Sequence, residues 1–229
     1  MKKVKLFLWV AILCTSCSTS KILTSDVKPY EITEMLKIGP FSYISLIEKG
    51  NQGIFNDSIS DFTEILLNES LESFRGKLRL SSEGIILEDE LELEKLEEEI
   101  SMMIMAADRS KSVHNIPITP FLDSIMSVSN KRFGLIVIQN GFTRSKGNYG
   151  GQVAKSIGLG ILTGLLTGRA YYQQPVKSHS TLYAMIIDNR NKNVAFYNKS
   201  VVQDSDPTKK ENITKQINKV FEKYFWDKK

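Results

Sequence analysis

The feature that most constrains the fold is an almost uninterrupted apolar run in the middle of the chain, from Phe133 to Ile138. A strand with one face in water alternates apolar and polar residues, whereas a strand covered on both faces is apolar throughout. The run therefore predicts a central strand in a layered α/β domain. The composition, 41% apolar and 24% charged, is that of a folded protein and excludes wholesale disorder, collagen and a polytopic membrane protein.

Hydrophobic periodicity and turn residues predict the neighbouring elements. Strands are predicted at 41–48, 84–87, 133–138, 181–188 and 194–202, the last two forming a hairpin. Helices are predicted at 57–74, about 88–107, 119–130, and from Pro207 almost to the end of the chain, with Asp206 as the N-cap of the last one. This order predicts an α/β fold in which a mixed sheet is flanked by helices, without an internal repeat.

Two of these segments carry more specific expectations. The helix at 57–74 has an apolar stripe that places Phe62 and Leu67 inward. The next helix begins in a run of eight carboxylates within residues 88–99. A calcium loop usually needs a glycine at its turn, which this run lacks, so we interpret the run as a solvated helix face. Asp188 and Arg190, at the end of a strand, are likewise interpreted as surface charges.

The first 17 residues have the pattern of a secretory signal: a basic start, the apolar run from Leu6 to Leu13, and then Cys14-Thr15-Ser16-Cys17. Eight apolar residues are too few to span a bilayer, which takes about 20. The end of the segment resembles a bacterial lipobox, and the resemblance implies cleavage before Cys17 and acylation of its thiol. The alternative is an ordinary secretory signal cut near Ser16, which would leave Cys17 as a free thiol.

The lipobox resemblance divides the chain into a signal peptide at 1–16, a lipidated tether at 17–38 and a single α/β domain at 39–229. No acidic residue follows Cys17 directly. By resemblance to sorting in Gram-negative envelopes, this implies an outer-membrane lipoprotein that faces the periplasm.

Removal of the signal changes both the charge and the cysteine count. Loss of Lys2, Lys3 and Lys5 lowers the 30 basic residues to 27 against 26 acidic ones, so the formal charge falls from +4 to +1. A formal charge of +1 does not indicate the basic surface that a nucleic-acid-binding protein needs. With Cys14 removed and Cys17 acylated, no intrachain disulfide is expected.

A glycine-rich insertion at about 141–178 interrupts the connection between two predicted strands and holds eight of the 14 glycines. A nucleotide-binding loop is disfavoured, because its glycines should follow the strand directly. Two interpretations stay open. The segment is either a loop and short helix packed on its own sheet, or an element that contacts a membrane or partner. In the second case the candidate interaction residues are Gly160, Gly164, Gly168, Tyr171 and Tyr172.

The chain has two histidines, His114 and His179, and neither lies in a recognisable metal-ligand spacing. No nucleophile or metalloenzyme motif is present in the sequence. We therefore expect no catalysis, no metal and no cofactor. The alternative is a periplasmic domain that binds or hydrolyses a small ligand with one of these histidines.

The C-terminal half resembles envelope lipoproteins related to the curli-secretion lipoprotein. The resemblance rests on the apolar strand 133–138, the glycine-rich insertion, the strand 182–188 with its hairpin return through 196–198, and the closing helix. It implies an anticodon-binding-like sandwich and no enzymatic activity. It also implies a role in assembling or supporting an envelope complex, with other envelope proteins and self-association as the expected contacts besides the membrane.

Overall fold

The computed structural model describes residues 22–85, 87, 89–153 and 175–226. The strands are β1 (Leu23–Thr24), β2 (Met35–Ile47), β3 (Ile54–Phe55), β4 (Leu80–Gly84), β5 (Phe133–Arg144), β6 (His179–Asp188) and β7 (Asn193–Gln203). The helices are α1 (Asp57–Ser73), α2 (Arg75–Leu78), α3 (Glu90–Arg109), α4 (Pro120–Val128) and α5 (Lys210–Phe221), the last followed by a π-helical turn at Glu222–Trp226.

The strands form one mixed sheet in the order β1-β7-β6-β5-β2-β3, with β4 also beside β2. Strand β2 runs parallel to β5 and β4, and the other pairs are antiparallel. The predicted class, α/β with a mixed sheet flanked by helices, is confirmed.

The apolar run lies on β5, between β2 and β6. Its side chains alternate between two cores. Ile136 and Ile138 pack on the face covered by α3 and α4, whereas Phe133, Leu135 and Val137 pack on the face covered by α1, α2 and α5. Because residues 133–138 contribute to a core on each face, both faces of this stretch favour apolar side chains, which explains its composition.

The structure corrects several predicted element boundaries. Strand β5 extends to Arg144, past its predicted end at Ile138 and into the predicted insertion. Strand β4 spans 80–84 rather than 84–87, because it joins the sheet through backbone pairing of Leu80 with Met35 while its own side chains are largely polar. The last helix begins at Lys210 rather than Pro207. Asp206 does not cap it; its carboxylate accepts from the backbone N–H and the hydroxyl of Thr208, which closes a turn before the helix.

The folded domain begins earlier than the predicted boundary at residue 39. Leu23 pairs with Tyr197 of β7, and Ile32 and Met35 are fully buried, so residues 22–38 belong to the domain and not to a tether. A two-residue strand and a single 3-10 turn are too short to produce a periodic signal. Cys17 and the signal segment lie outside the described residues. Within the described ranges, no helix is both long and apolar enough to cross a membrane.

Candidate binding site

One edge of β2 is left without a strand neighbour in the described part of the chain. Strand β4 pairs with β2 only at Met35 and Lys37, and β3 pairs only at Ser45 and Leu46. The intervening stretch contains Pro40, which has no N–H to offer. An unpaired edge exposes backbone donors and acceptors that need other partners.

Polar side chains of α1 provide those partners. The Ile44 N–H donates to Ser60 Oγ at 2.9 Å, and the Ser42 N–H donates to the Glu64 carboxylate. The Ser42 and Thr63 hydroxyls share a hydrogen bond of 2.6 Å. Helix α1 therefore completes the edge of β2 with side chains instead of a backbone ladder.

This arrangement corrects the predicted stripe of α1. Leu67 is buried as expected, but Phe62 is half exposed while Ser60 and Thr63 are buried. The hydrophobic pattern missed these residues because a hydroxyl is buried here to pair with strand backbone, and no periodicity records that requirement.

A groove follows this edge, formed by two adjoining cavities of about 450 and 490 Å³ that share Ile85 and Leu87. We call it the edge groove. Its first part is lined by Phe41, Ile65 and Leu93, and its second part by apolar residues of α4 that include Phe121, Ile125 and Val128. Val128 is 90% exposed and Ile65 is 58% exposed. The groove therefore leaves large apolar side chains in contact with solvent.

Among the described residues that line the edge groove, the charged side chains are all carboxylates: Glu64 in the first part, and Glu83 and Glu92 in the second. Lys95 does not line the groove, but its Nζ lies 4.8 Å from the centroid of the Phe121 ring. Glu83 lies 3.9 Å from Lys131. No ion pair of the described residues involves Glu64 or Glu92. The first part of the groove is therefore both apolar and negatively charged.

The carboxylates near the unpaired edge also influence one another. Burial beneath the groove wall raises the pKa of Glu64 although its side chain keeps an exposed face, and the nearby Glu97 and Asp61 raise it further; the Ser42 N–H lowers it. Burial, followed by hydrogen bonding to Glu97, raises the pKa of Tyr43 far above its ordinary value, so its phenol stays protonated and donates to that carboxylate. A cation placed in the groove would relieve this repulsion.

The residues predicted from sequence lie elsewhere. Cys17, Gly160, Gly164, Gly168, Tyr171 and Tyr172 are outside the described residues. His114 is exposed in the loop before α4. This loop is attached to the β6–β7 turn by a hydrogen bond from the Ile118 N–H to the Lys192 carbonyl. His179 begins β6, at the opposite end of that strand. A strand of ten residues is about 30 Å long, and the two histidines lie towards opposite ends of β6, so the structure does not combine them in one site.

Comparison with known proteins assigns the chain to no family. No protein-family model matches it, and no curated protein matches it either. Among solved structures, a PelC dodecamer from Paraburkholderia phytofirmans is 9% identical, with 92% of this chain and 99% of that chain covered and a TM-score of 0.38. A single-substitution variant of that dodecamer is also 9% identical, covering 89% and 96% at a TM-score of 0.36. Similarity at that level does not establish a shared fold.

Proposed function

We propose that the protein is a non-catalytic envelope lipoprotein, anchored through Cys17 to the outer membrane and facing the periplasm, that binds another envelope component through its edge groove. The observation that carries the binding proposal is the combination of an apolar lining with lining charges of one sign. The anchoring proposal is supported by the lipobox resemblance, and the α/β class agrees with the fold that the curli-type resemblance implies. Self-association through the 141–172 segment is part of the same proposal.

The charge of the groove indicates the chemistry of its partner. Interfaces pair complementary potentials, and apolar side chains supply most of the burial. The partner we propose is therefore a protein segment that carries Lys or Arg among apolar residues. Such a segment would cover Ile65, Leu93 and Val128 while its cations approach Glu64 and Glu92.

Membrane attachment is tested by fractionating cells that express the full chain. Cys17→Ser is expected to move the protein from the membrane fraction to the soluble fraction, because more than one acyl chain is needed for stable attachment and the thiol is their attachment point. Cys14→Ser is the matched control and is expected to change nothing. Retention of the Cys17→Ser variant in the membrane fraction would contradict the proposed anchor.

The groove is tested with a synthetic peptide of alternating leucine and lysine. We expect saturable binding that weakens with added salt, because the charges are screened. Glu64→Gln and Glu92→Gln are each expected to reduce affinity roughly threefold, the size of one partly exposed ion pair. The contribution of Glu64 depends on its ionised form, so the affinity should fall by up to the same threefold as the pH falls through the pKa of that carboxyl, which lies above its ordinary value.

Two controls separate groove binding from general attraction to an acidic helix. Glu98→Gln removes an exposed charge of α3 that lines neither cavity, and it should leave the affinity unchanged. A leucine–glutamate peptide of the same length should not bind. Equal losses in Glu98→Gln and Glu64→Gln would show that the groove is not the binding surface.

A further inference from the structure

A second cleft, of about 300 Å³, lies at the other end of the sheet from Asp188, where β2, β5 and β6 meet. It is lined by side chains from three strands and one loop: Ser45, Asn51, Asn140, Phe142, Arg144 and His179. We call it the Arg144 cleft. Among the described residues that line it, none is a carboxylate.

The guanidinium of Arg144 is held by neutral oxygens. Its Nε donates to the Val176 carbonyl at 2.9 Å, and Nη1 donates to the Gly50 carbonyl at 2.9 Å and to Asn148 Oδ1 at 2.7 Å. Nη2 donates to Asn51 Oδ1 at 2.9 Å. Four of the five N–H donors are thereby fixed in position. Within the described residues the fifth donor has no acceptor, and no carboxylate balances the charge.

His179 is positioned beside Arg144 by a shared aromatic ring. The imidazole stacks on Phe142 with ring centroids 6.1 Å apart, and Arg144 Cζ lies 5.8 Å from the same ring centroid. His179 Nε2 is 3.0 Å from Thr181 Oγ1. Among the described residues, no hydrogen bond engages Nδ1. Arginine and histidine are thus both oriented before any ligand arrives.

The charged groups adjacent to the cleft in sequence are mostly basic. Lys49 and Lys146 neighbour residues that bond to or line the cleft, and Lys177 follows Val176. Glu48 is on the same loop as Lys49, and the Asp204 carboxylate accepts the Lys177 backbone N–H. Among the described residues that line the cleft, the charge of Arg144 therefore stands without a carboxylate, in contrast to the edge groove.

We propose that the Arg144 cleft binds an oxyanion of the phosphate type, held by Arg144 and His179, with Asn140 and Ser45 as further polar contacts. The N–H donors of an arginine guanidinium that is already oriented match the geometry of phosphate oxygens. A bound phosphate would not have to displace an internal counterion of Arg144. The phosphate is either a free anion or the headgroup of an anionic lipid. This site is independent of the edge groove and of the function proposed for it.

The test follows the two histidine rings of the full chain by NMR during titration with inorganic phosphate. His179 is expected to shift in a saturable way, while His114, at the far end of β6, serves as the internal control. His179→Gln should weaken phosphate binding severalfold and Arg144→Gln roughly tenfold, the size of a lost charge-assisted hydrogen bond. His114→Gln should have no effect. Arg144→Gln also releases loop contacts. If the Arg144→Gln variant does not fold, the proposal is judged on the His179→Gln result.

Short-chain phosphatidylglycerol and phosphatidylcholine, below their micelle concentrations, distinguish the source of the phosphate. Tighter binding of phosphatidylglycerol than of inorganic phosphate assigns the cleft to an anionic lipid headgroup, and the reverse assigns it to a free anion. Equal, non-saturating shifts of both histidines, or unchanged affinity in His179→Gln, would overturn the proposal.

Discussion

Replacing Asp188 by Ala is expected to lower the free energy of unfolding by about 3 kcal/mol or more. The side chain is completely buried and accepts five hydrogen bonds. Two come from Arg132, at 3.0 and 2.8 Å. The other three come from the backbone N–H groups of Arg190 and Asn191 and from Asn191 Nδ2. Truncation leaves a half-buried guanidinium without its counterion and the turn after β6 without its acceptor.

Denaturant unfolding of the two proteins measures this loss, and Asp123→Ala is the matched control. Asp123 pairs with Lys192 at the same end of the sheet, but these side chains are 38% and 51% exposed. Exposed ion pairs contribute less than about 1 kcal/mol, so the control should change little. Similar losses for the two variants would show that the buried network around Asp188 is not what stabilises this end of the sheet. Because Asp188 is completely buried, the prediction from sequence that it is a surface charge is wrong.

Gly141→Ala is expected to destabilise the protein by about 3 kcal/mol, at the upper end of the usual cost of overpacking. Gly141 pairs with Ser180 between two central strands, next to the last β5–β6 pair, and a Cβ at this position would lie 2.2 Å from the carbonyl oxygen of His179. The obstructing atom is backbone, so it moves only if β5 and β6 separate. Amide hydrogen exchange should therefore accelerate on both strands together.

Gly84→Ala is the control for that substitution. Gly84 is also a strand residue, but a Cβ there meets nothing within 4 Å. A change within about 0.5 kcal/mol is expected, as for an ordinary surface substitution. If Gly141→Ala unfolded at the same denaturant concentration as Gly84→Ala, the close approach of the two strands would be disproved.

The parts of the fold that the sequence predicts are those with long periodic patterns. Helices α1, α3 and α4 and the hairpin of β6 and β7 lie close to their predicted bounds. The residue pattern predicts that β2 begins at Phe41, yet the strand begins at Met35 and includes Gly39 and Pro40. An irregularity in its pairing with β5 between Ile38 and Phe41 accommodates the two residues, and local sequence rules do not anticipate this.

The candidate sites were less predictable, because each depends on contacts between distant parts of the chain. The edge groove exists because β3 and β4 leave a gap along β2, and neither of these short strands has a clear pattern. His179 could be singled out as one of two histidines, but Arg144 lies in no motif. Its importance comes from bonds to Gly50 and Asn51, more than 90 positions earlier.

The position of β1 sets the distance between the start of the described chain and the edge groove. The first described residue precedes β1, at one margin of the sheet, whereas the edge groove lies beyond β2, four strands away. At about 4.8 Å per strand, the two are roughly 20 Å apart across the sheet. A partner bound in the edge groove would therefore be well separated from the residue at which the described chain begins, and it would not need to displace the lipid proposed at Cys17.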